Sequence, residues 1–347
     1  MENSDFEKIC EFISNFAISK HQQNTRPTIQ SLQKRFYSSI CEQKFPFRNS
    51  LIFYITQNPS SLKLYQKMIK SCKHFFDKNP ILVISTLYAE YGTTEWGIWF
   101  NEKSVELEKL VPSTKLWVID EINVGNTIIS PIYPFVNPNV CSDAKWLTTI
   151  IISKIYQSNI ERFVLWNQTI SFKDFVFVAS NCKEIMLCNV SVVENESDAI
   201  VAVEKLIEVL PNLKDFEYNL PTSSNVITPN TLQELLSIPH FSNVIELRLN
   251  SLSEAFDLDK FFDAIKKNKK TTLRFSFSYE ISDHYKLRLK AGLKEIIETK
   301  NHEFKIPMID LPAMNNDDYA LFDKLQELFD NQKEMNYCRC SEKQKQK

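Results

Sequence analysis

The chain has 347 residues, 43% hydrophobic and 12% aromatic, enough for one large domain or two or three smaller ones with a sizeable core. Its 41 lysines and arginines face 43 aspartates and glutamates, a net charge of −2, which leaves no electrostatic case for nucleic acid or an anionic membrane as partner. None of the four glycines (Gly92, Gly97, Gly125, Gly292) lies in a G-x-G-x-x-G or G-x-x-x-x-G-K pattern, which disfavours the usual nucleoside triphosphatases and dinucleotide enzymes.

Residues 1–44 read as a helical arm. Phe6, Ile9, Cys10, Ile13 and Phe16 recur at helical spacing, and Ile29, Leu32, Phe36 and Ile40 form a second stripe after Pro27. Residues 45–80 form a separate helical segment. Asn49 or Ser50 caps a short helix carrying Leu51, Ile52, Tyr54 and Ile55, and the turn Asn58-Pro59-Ser60 ends it. Leu62, Leu64, Tyr65, Met68, Ile69, Cys72, Phe75 and Phe76 then make a wide apolar stripe among lysines, up to Pro80. Ile81–Ile84 fits a strand or a continued helix, because periodicity does not separate the two in a short β-branched run. Trp96–Phe100 and Leu116–Ile119 read as strands, the prolines at 131, 134 and 138 as an irregular crossing, and Ser142 as the cap of a helix running to Tyr156.

A repeat occupies 160–277. The segments IERFVLWN, EIMLCN, NLKDFEYN, NVIELRLN and TTLRFSFS mostly share an apolar-any-apolar core followed by asparagine. Taking Phe163, Ile185, Phe216, Leu247 and Leu273 as equivalent, the intervals are 22, 31, 31 and 26 residues, in or near the range of leucine-rich repeats, with one strand and one helix or 3₁₀ turn per unit. Helices are expected from Ser171, from Asp198, after Thr228-Pro229, from Asp257 and from Ser282, each opened by a capping residue or an acid. Asn167, Asn189, Asn219 and Asn250 either build a ladder of side-chain amides or simply begin turns; their offset from the apolar pair varies by one. Residues 303–312 are extended, Asp317–Met335 form an amphipathic capping helix over 311–335, and 336–347 form a disordered tail.

The chain offers little chemistry. Eight cysteines include no C-x-x-C, and Cys338 and Cys340 form a lone C-x-C in a polar tail. The acidic N-terminus lacks a secretory apolar region, so the cysteines read as reduced thiols of a cytoplasmic or nuclear protein. No apolar run approaches membrane-spanning length. The five histidines make no H-E-x-x-H, and Asp283-His284 suits a helix cap. Lys266–Lys270, with Asn268 inside it, is basic but reads as a solvated turn. No cofactor, metal or catalytic residue is expected.

The proline-led pair of short helices over 45–80, followed by a basic helix with aromatic residues near its end, resembles an F-box, with Phe45-Pro46 in place of Leu-Pro. Leu51, Ile52 and Ile55 match its first apolar helix, Leu64, Tyr65 and Ile69 its middle, and Cys72, Phe75 and Phe76 its end. The segment departs from the motif in lacking an acid after the proline and a central Leu-Pro pair; a plain helical hairpin is the other reading. NPSSLKLYQKMIKSCKHFFDKNPI, LPNLKDFEY, LLSIPHFSNV, FDLDKFFDAIKKNKKTTL and ISDHYKLRLKAGLKEIIETK resemble a large nematode-type family of F-box-like proteins with a C-terminal leucine-rich-repeat-like domain of the FTH type, over roughly 45–310.

This resemblance implies an α/β fold, with a small helical F-box-like subdomain over 45–80 followed by an irregular leucine-rich-repeat-like solenoid over 81–310. It implies a noncatalytic recruiter for a cullin-type ubiquitin ligase. Phe45, Pro46, Leu51, Ile52, Ile55, Leu64 and Ile69 would face a Skp-type adaptor. A target protein would meet the exposed strand positions Arg162, Trp166, Glu217, Glu246, Arg248 and Arg274. A repeat-based scaffold without ligase coupling is the alternative.

Overall fold

A computed structural model describes residues 38, 44–89, 96–100, 103–106, 113–124, 147–194, 197, 199–221, 226–311 and 316–345. The N-terminal arm expected over 1–44 lies outside them except at residues 38 and 44, as do the crossing at 131–138 and the cap expected at Ser142. The chain is α/β, with ten α-helices among the described residues and mostly parallel strand pairing. It divides into two compact units, Met1–Val136 with Thr149–Asn159, and Asn137–Thr148 with Ile160–Lys347. The strands expected to open the repeat region at 81 therefore group with the helical segment 45–80.

The first unit holds α1 (Asn49–Gln57), α2 (Leu62–Ser71), α3 (Lys73–Lys78), most of α4 (Leu147–Lys154), and β1 (Ile81–Ala89), β2 (Trp96–Phe100), β3 (Lys103–Glu106), β4 (Lys115–Val124) and β5 (Ile155–Ser158). The strand order is β3-β2-β1-β4-β5, with β1, β4 and β5 parallel and β1-β2-β3 antiparallel. The β-branched run at Ile81 is a strand because β4 offers a matching apolar strand, Ile81 pairing with Lys115 and Val83 with Trp117. The helix expected to reach Tyr156 stops at Lys154, since Ile155–Ser158 pairs with β4 instead.

Ser61 caps α2 by accepting the Leu64 N–H at 3.2 Å. The fully buried Tyr65 then packs with Ile81, Val83 and Trp117. Its hydroxyl accepts the Ile81 N–H at 3.0 Å and lies 2.9 Å from the Ile81 carbonyl. Asn79 Nδ2 donates to the Thr56 carbonyl at 2.9 Å, tying α1 to the entry of β1. Each of these buried polar groups thus satisfies a backbone group that would otherwise be orphaned.

The second unit runs β6 (Arg162–Trp166), β7 (Thr169–Ser171), α5 (Phe172–Ala179), β8 (Glu184–Cys188), β9 (Ser191–Val193), α6 (Val203–Glu208), β10 (Asp215–Asn219), α7 (Thr231–Ser237), a 3₁₀ turn (Pro239–Asn243), β11 (Glu246–Leu252), α8 (Leu258–Lys267), β12 (Thr272–Phe277), α9 (Asp283–Glu298), β13 (Met308–Asp310) and α10 (Asn316–Lys345). β6, β8, β10, β11, β12 and β13 lie parallel in that order. The equivalence read from the repeat is the register itself: Phe163, Ile185, Phe216, Leu247 and Leu273 stand side by side and are buried. The expected caps form: Ser171 accepts from Asp174 N, Asp257 from Asp259 N and Lys260 N, and Ser282 from Tyr285 N.

Three elements differ from expectation. The helix expected from Asp198 begins at Val203, because Val201 N donates to the Val192 carbonyl at 2.8 Å and holds the β-branched Ile200–Val201 extended. β7 and β9 add a small parallel pair that the repeat did not announce. α10 continues through Lys345, across the segment expected to be disordered. It packs on α9 and β13, with Leu325 and Phe329 buried and Gln332 bonding the backbone of Phe304 and Ile306 at 2.9 Å each.

Gly292 of α9 gives room to the Phe262 ring of α8, since a Cβ there would overlap that ring. Gly292→Ala gains up to about 1 kcal/mol of helix propensity, but displacing a buried ring costs roughly 1–3 kcal/mol. A net loss in the denaturation midpoint is expected, partly reversed by adding Phe262→Leu; a stabilised single variant would contradict this packing.

Candidate functional site

Phe175 of α5 and Phe261 of α8 pack on the face that carries Phe163, Ile185 and their row, meeting Phe163 and Phe275. The opposite face carries the alternate positions. In register across the sheet these read Arg162-Glu184-Asp215-Glu246-Thr272 and then Val164-Met186-Glu217-Arg248-Arg274. Strand alternation puts both rows on one surface. All but Thr272 and Arg274 line an open cleft of about 110 Å³ over β6, β8, β10 and β11. Small-molecule pockets run to roughly 300–1,000 Å³, so this cleft suits one side chain better than a whole metabolite.

Ion pairs organise the face. Arg248 donates through Nε to Glu246 at 2.9 Å and through a terminal nitrogen to Glu217 at 3.0 Å. Arg274 Nε donates to the same Glu246 oxygen at 2.5 Å, and its guanidinium lies 5.0 Å from the centre of the Phe329 ring of α10. Arg162 Nε stands 3.5 Å from Glu184. Burial opposes ionisation of Glu246, but the bonds and charges of Arg248 and Arg274 outweigh it and hold its carboxyl below the usual range. Asp215 has no such relief. Burial, and then the flanking carboxylates Glu246 and Glu184, push its carboxyl upward, with Arg248 opposing only through space.

Of the six target-facing residues expected from the sequence, Arg162, Glu217, Glu246 and Arg248 line the cleft. Arg274 joins them through Glu246. Trp166 ends β6, half-buried and outside the cleft, and its indole N–H has no hydrogen-bond partner among the described residues. The sequence reading passed over Glu184, Asp215 and Met186. The signal was available, since Arg162, Glu184, Asp215 and Glu246 each directly precede an equivalent core residue.

The asparagines form a broken ladder. Asn189 Nδ2 donates to Asn167 Oδ1 at 2.7 Å, and Asn250 Nδ2 to Asn219 Oδ1 at 2.5 Å. Between these rungs Asn219 is level with Cys188 rather than Asn189 and bonds its sulfur at 2.8 Å. The one-residue offset in the sequence is the cause. Asn167 and Asn189 sit past their strands in the left-handed region, at φ 51° and 52°, while Asn219 and Asn250 remain inside theirs. Cys188, which meets this ladder, and Cys182, before the start of β8, are poor nucleophiles, because burial pushes both thiols up to about 12.

In the first unit, α1 is apolar on nearly every side and buries only one. Ile52 and Thr56 face inward, whereas Leu51, Phe53 and Tyr54 are 43%, 63% and 64% exposed. Phe47 and Leu64 are exposed as well. Of the residues assigned to adaptor contact, Leu51 and Leu64 are exposed, as is Pro46, while Ile55 and Ile69 are half-buried. Phe45 is half-buried, its ring 5.2 Å from that of His74 and 5.8 Å from that of Phe75. Ile52 belongs to the interior, because the turn that seats Thr56 against Asn79 points position 52 the same way.

Among the described residues no three His, Cys, Asp or Glu side chains are grouped to hold a metal, and no helix is long and apolar enough to cross a membrane. His240 and His302 bond the carbonyls of Ile207 and Ile296 at 2.9 and 2.7 Å, as parts of the framework. No family model, curated protein or solved structure matches the chain.

Proposed function

We propose that the chain is a noncatalytic, F-box-like recruiter for a cullin-type ubiquitin ligase. In this proposal the exposed apolar side of α1 and the start of α2 dock a Skp-type adaptor. The parallel strands from β6 onward, with their helices, act as an irregular leucine-rich-repeat-like solenoid whose charged face holds a target protein. The observation that carries it is the apolar surface of α1. Leu51, Phe53 and Tyr54 stand in water although Ile52 and Thr56 already satisfy the fold, and surface aromatics kept at that cost mark docking sites.

The face from Arg162 to Arg274 supports the second half. Its cleft is too small to enclose a metabolite, and Glu217 and Glu246 are held in fixed pairs with Arg248 and Arg274, which suits a protein-recognition surface. Deleting 45–80 would strip Tyr65 from the core of its unit, so point changes are the cleaner test. Full-length protein should co-purify a Skp-type adaptor and cullin, and Phe53→Glu with Tyr54→Glu should lower that recovery at least about tenfold. Equal, background recovery with both proteins would leave the scaffold alternative, in which the face binds a partner without ligase coupling.

A further inference from the structure

The cleft on the sheet face is unevenly charged. Two cations line it, Arg162 and Arg248, and a third, Arg274, reaches Glu246 from its edge, against four carboxylates: Glu184, Asp215, Glu217 and Glu246. Arg248 is spent on Glu217 and Glu246, and Arg162 stands against Glu184. Asp215 sits between Glu184 and Glu246 in the row, paired to both strands in register. Among the described residues no side chain or backbone N–H bonds its carboxylate, and no cation forms an ion pair with it. A half-buried carboxylate between two others is electrostatically incomplete, and an incoming cation would complete it. Beside it, Val164 and Met186 supply apolar wall.

The geometry points to this cleft as a seat for one basic side chain of a bound protein, its cation between Asp215 and Glu184 and its methylene stem along Met186 and Val164. The assignment rests on the proposal that the sheet face binds a protein, and it names the feature that such a target must present. Lysine and arginine fit, because their stems are apolar and only the tip is charged. A shared divalent ion fits poorly. Such an ion needs several ligands at once, and among the described residues no three His, Cys, Asp or Glu side chains are grouped to hold one.

The test uses full-length protein labelled with ¹³C at the methionine methyl groups, the Met186 signal being identified by its loss in Met186→Leu. Capped arginine amide and capped lysine amide are titrated, with capped citrulline amide as the neutral match to arginine. The Met186 signal should shift saturably with either cation and stay still with citrulline, and Asp215→Asn should weaken the effect roughly tenfold. Glu184→Gln gives an independent second variant with the same expected direction. A Met186 signal that neither cation moves, that citrulline moves equally, or that titrates unchanged in both variants overturns the assignment. Those outcomes are separate from adaptor recovery, which reads the surface of α1 and leaves this cleft untouched.

Discussion

Leu247→Asp is expected to abolish folding of the second unit. Leu247 is fully buried on β11, in the row Phe163-Ile185-Phe216-Leu247-Leu273, with Phe216 and Leu273 beside it on neighbouring strands. Losing the leucine removes about 1.5–3 kcal/mol of apolar burial. The aspartate adds the cost of an unpaired charge in that position, several kcal/mol more or an equivalent forced protonation. Domains are stable by only about 5–15 kcal/mol. Tyr279→Asp is the control, because Tyr279 is exposed and such sites usually move stability by less than about 0.5 kcal/mol. Circular dichroism and urea midpoints read both variants. A soluble Leu247→Asp protein with the parental midpoint would mean that this strand does not face the core.

Trp117→Ala should be the most damaging single truncation in the first unit. Trp117 is nearly fully buried on β4, packs with Tyr65, Ile81 and Val83, and has the Tyr156 ring 5.7 Å away. Its indole Nε1–H donates to Asn159 Oδ1 at 2.7 Å. Removing a large buried aromatic costs roughly 3–5 kcal/mol, part of it the cavity left behind. Trp117→Phe keeps much of the ring contact and gives up the hydrogen bond, so it should cost less, though more than the roughly 1 kcal/mol of the bond alone. Urea midpoints in that order, parent above Trp117→Phe above Trp117→Ala, are expected. Little change in the alanine variant would mean that α2 does not rest on this strand.

The strands β6, β8, β10, β11 and β12 were legible because each carries apolar residues two apart at positions such as Phe163 and Leu165 or Leu247 and Leu249. That spacing sends both to one face of a strand. The caps at Ser171, Asp257 and Ser282 were legible because a short polar side chain before an apolar periodic run has one favoured use. Other features depended on partners distant in the chain. Ile81–Ile84 and Ile155–Ser158 became strands because β4 lay ready to pair with them. Val201 stayed extended because Val192 accepted its N–H.

Within the candidate site, the alternation along each strand identified Glu217, Glu246, Arg248 and Arg274. Asp215 carries the local signal of its face, one position before a core residue, but its importance comes from standing between Glu184 and Glu246, a relation of three strands that no local window contains. The same holds for α1. Its sequence is apolar at Leu51, Ile52, Phe53, Tyr54 and Ile55 together, and only docking through Thr56 and Asn79 decides which of these meet water.

The proposed role turns on whether that outer side of α1 binds a Skp-type adaptor. The deciding measurement is titration of purified full-length protein with purified adaptor, read by calorimetry and by co-elution. A one-to-one complex with a dissociation constant of about micromolar or tighter is expected, lost in the Phe53→Glu, Tyr54→Glu double variant while its urea midpoint stays parental. No complex with the parent chain, or a complex that the double variant forms equally well, would contradict the adaptor role.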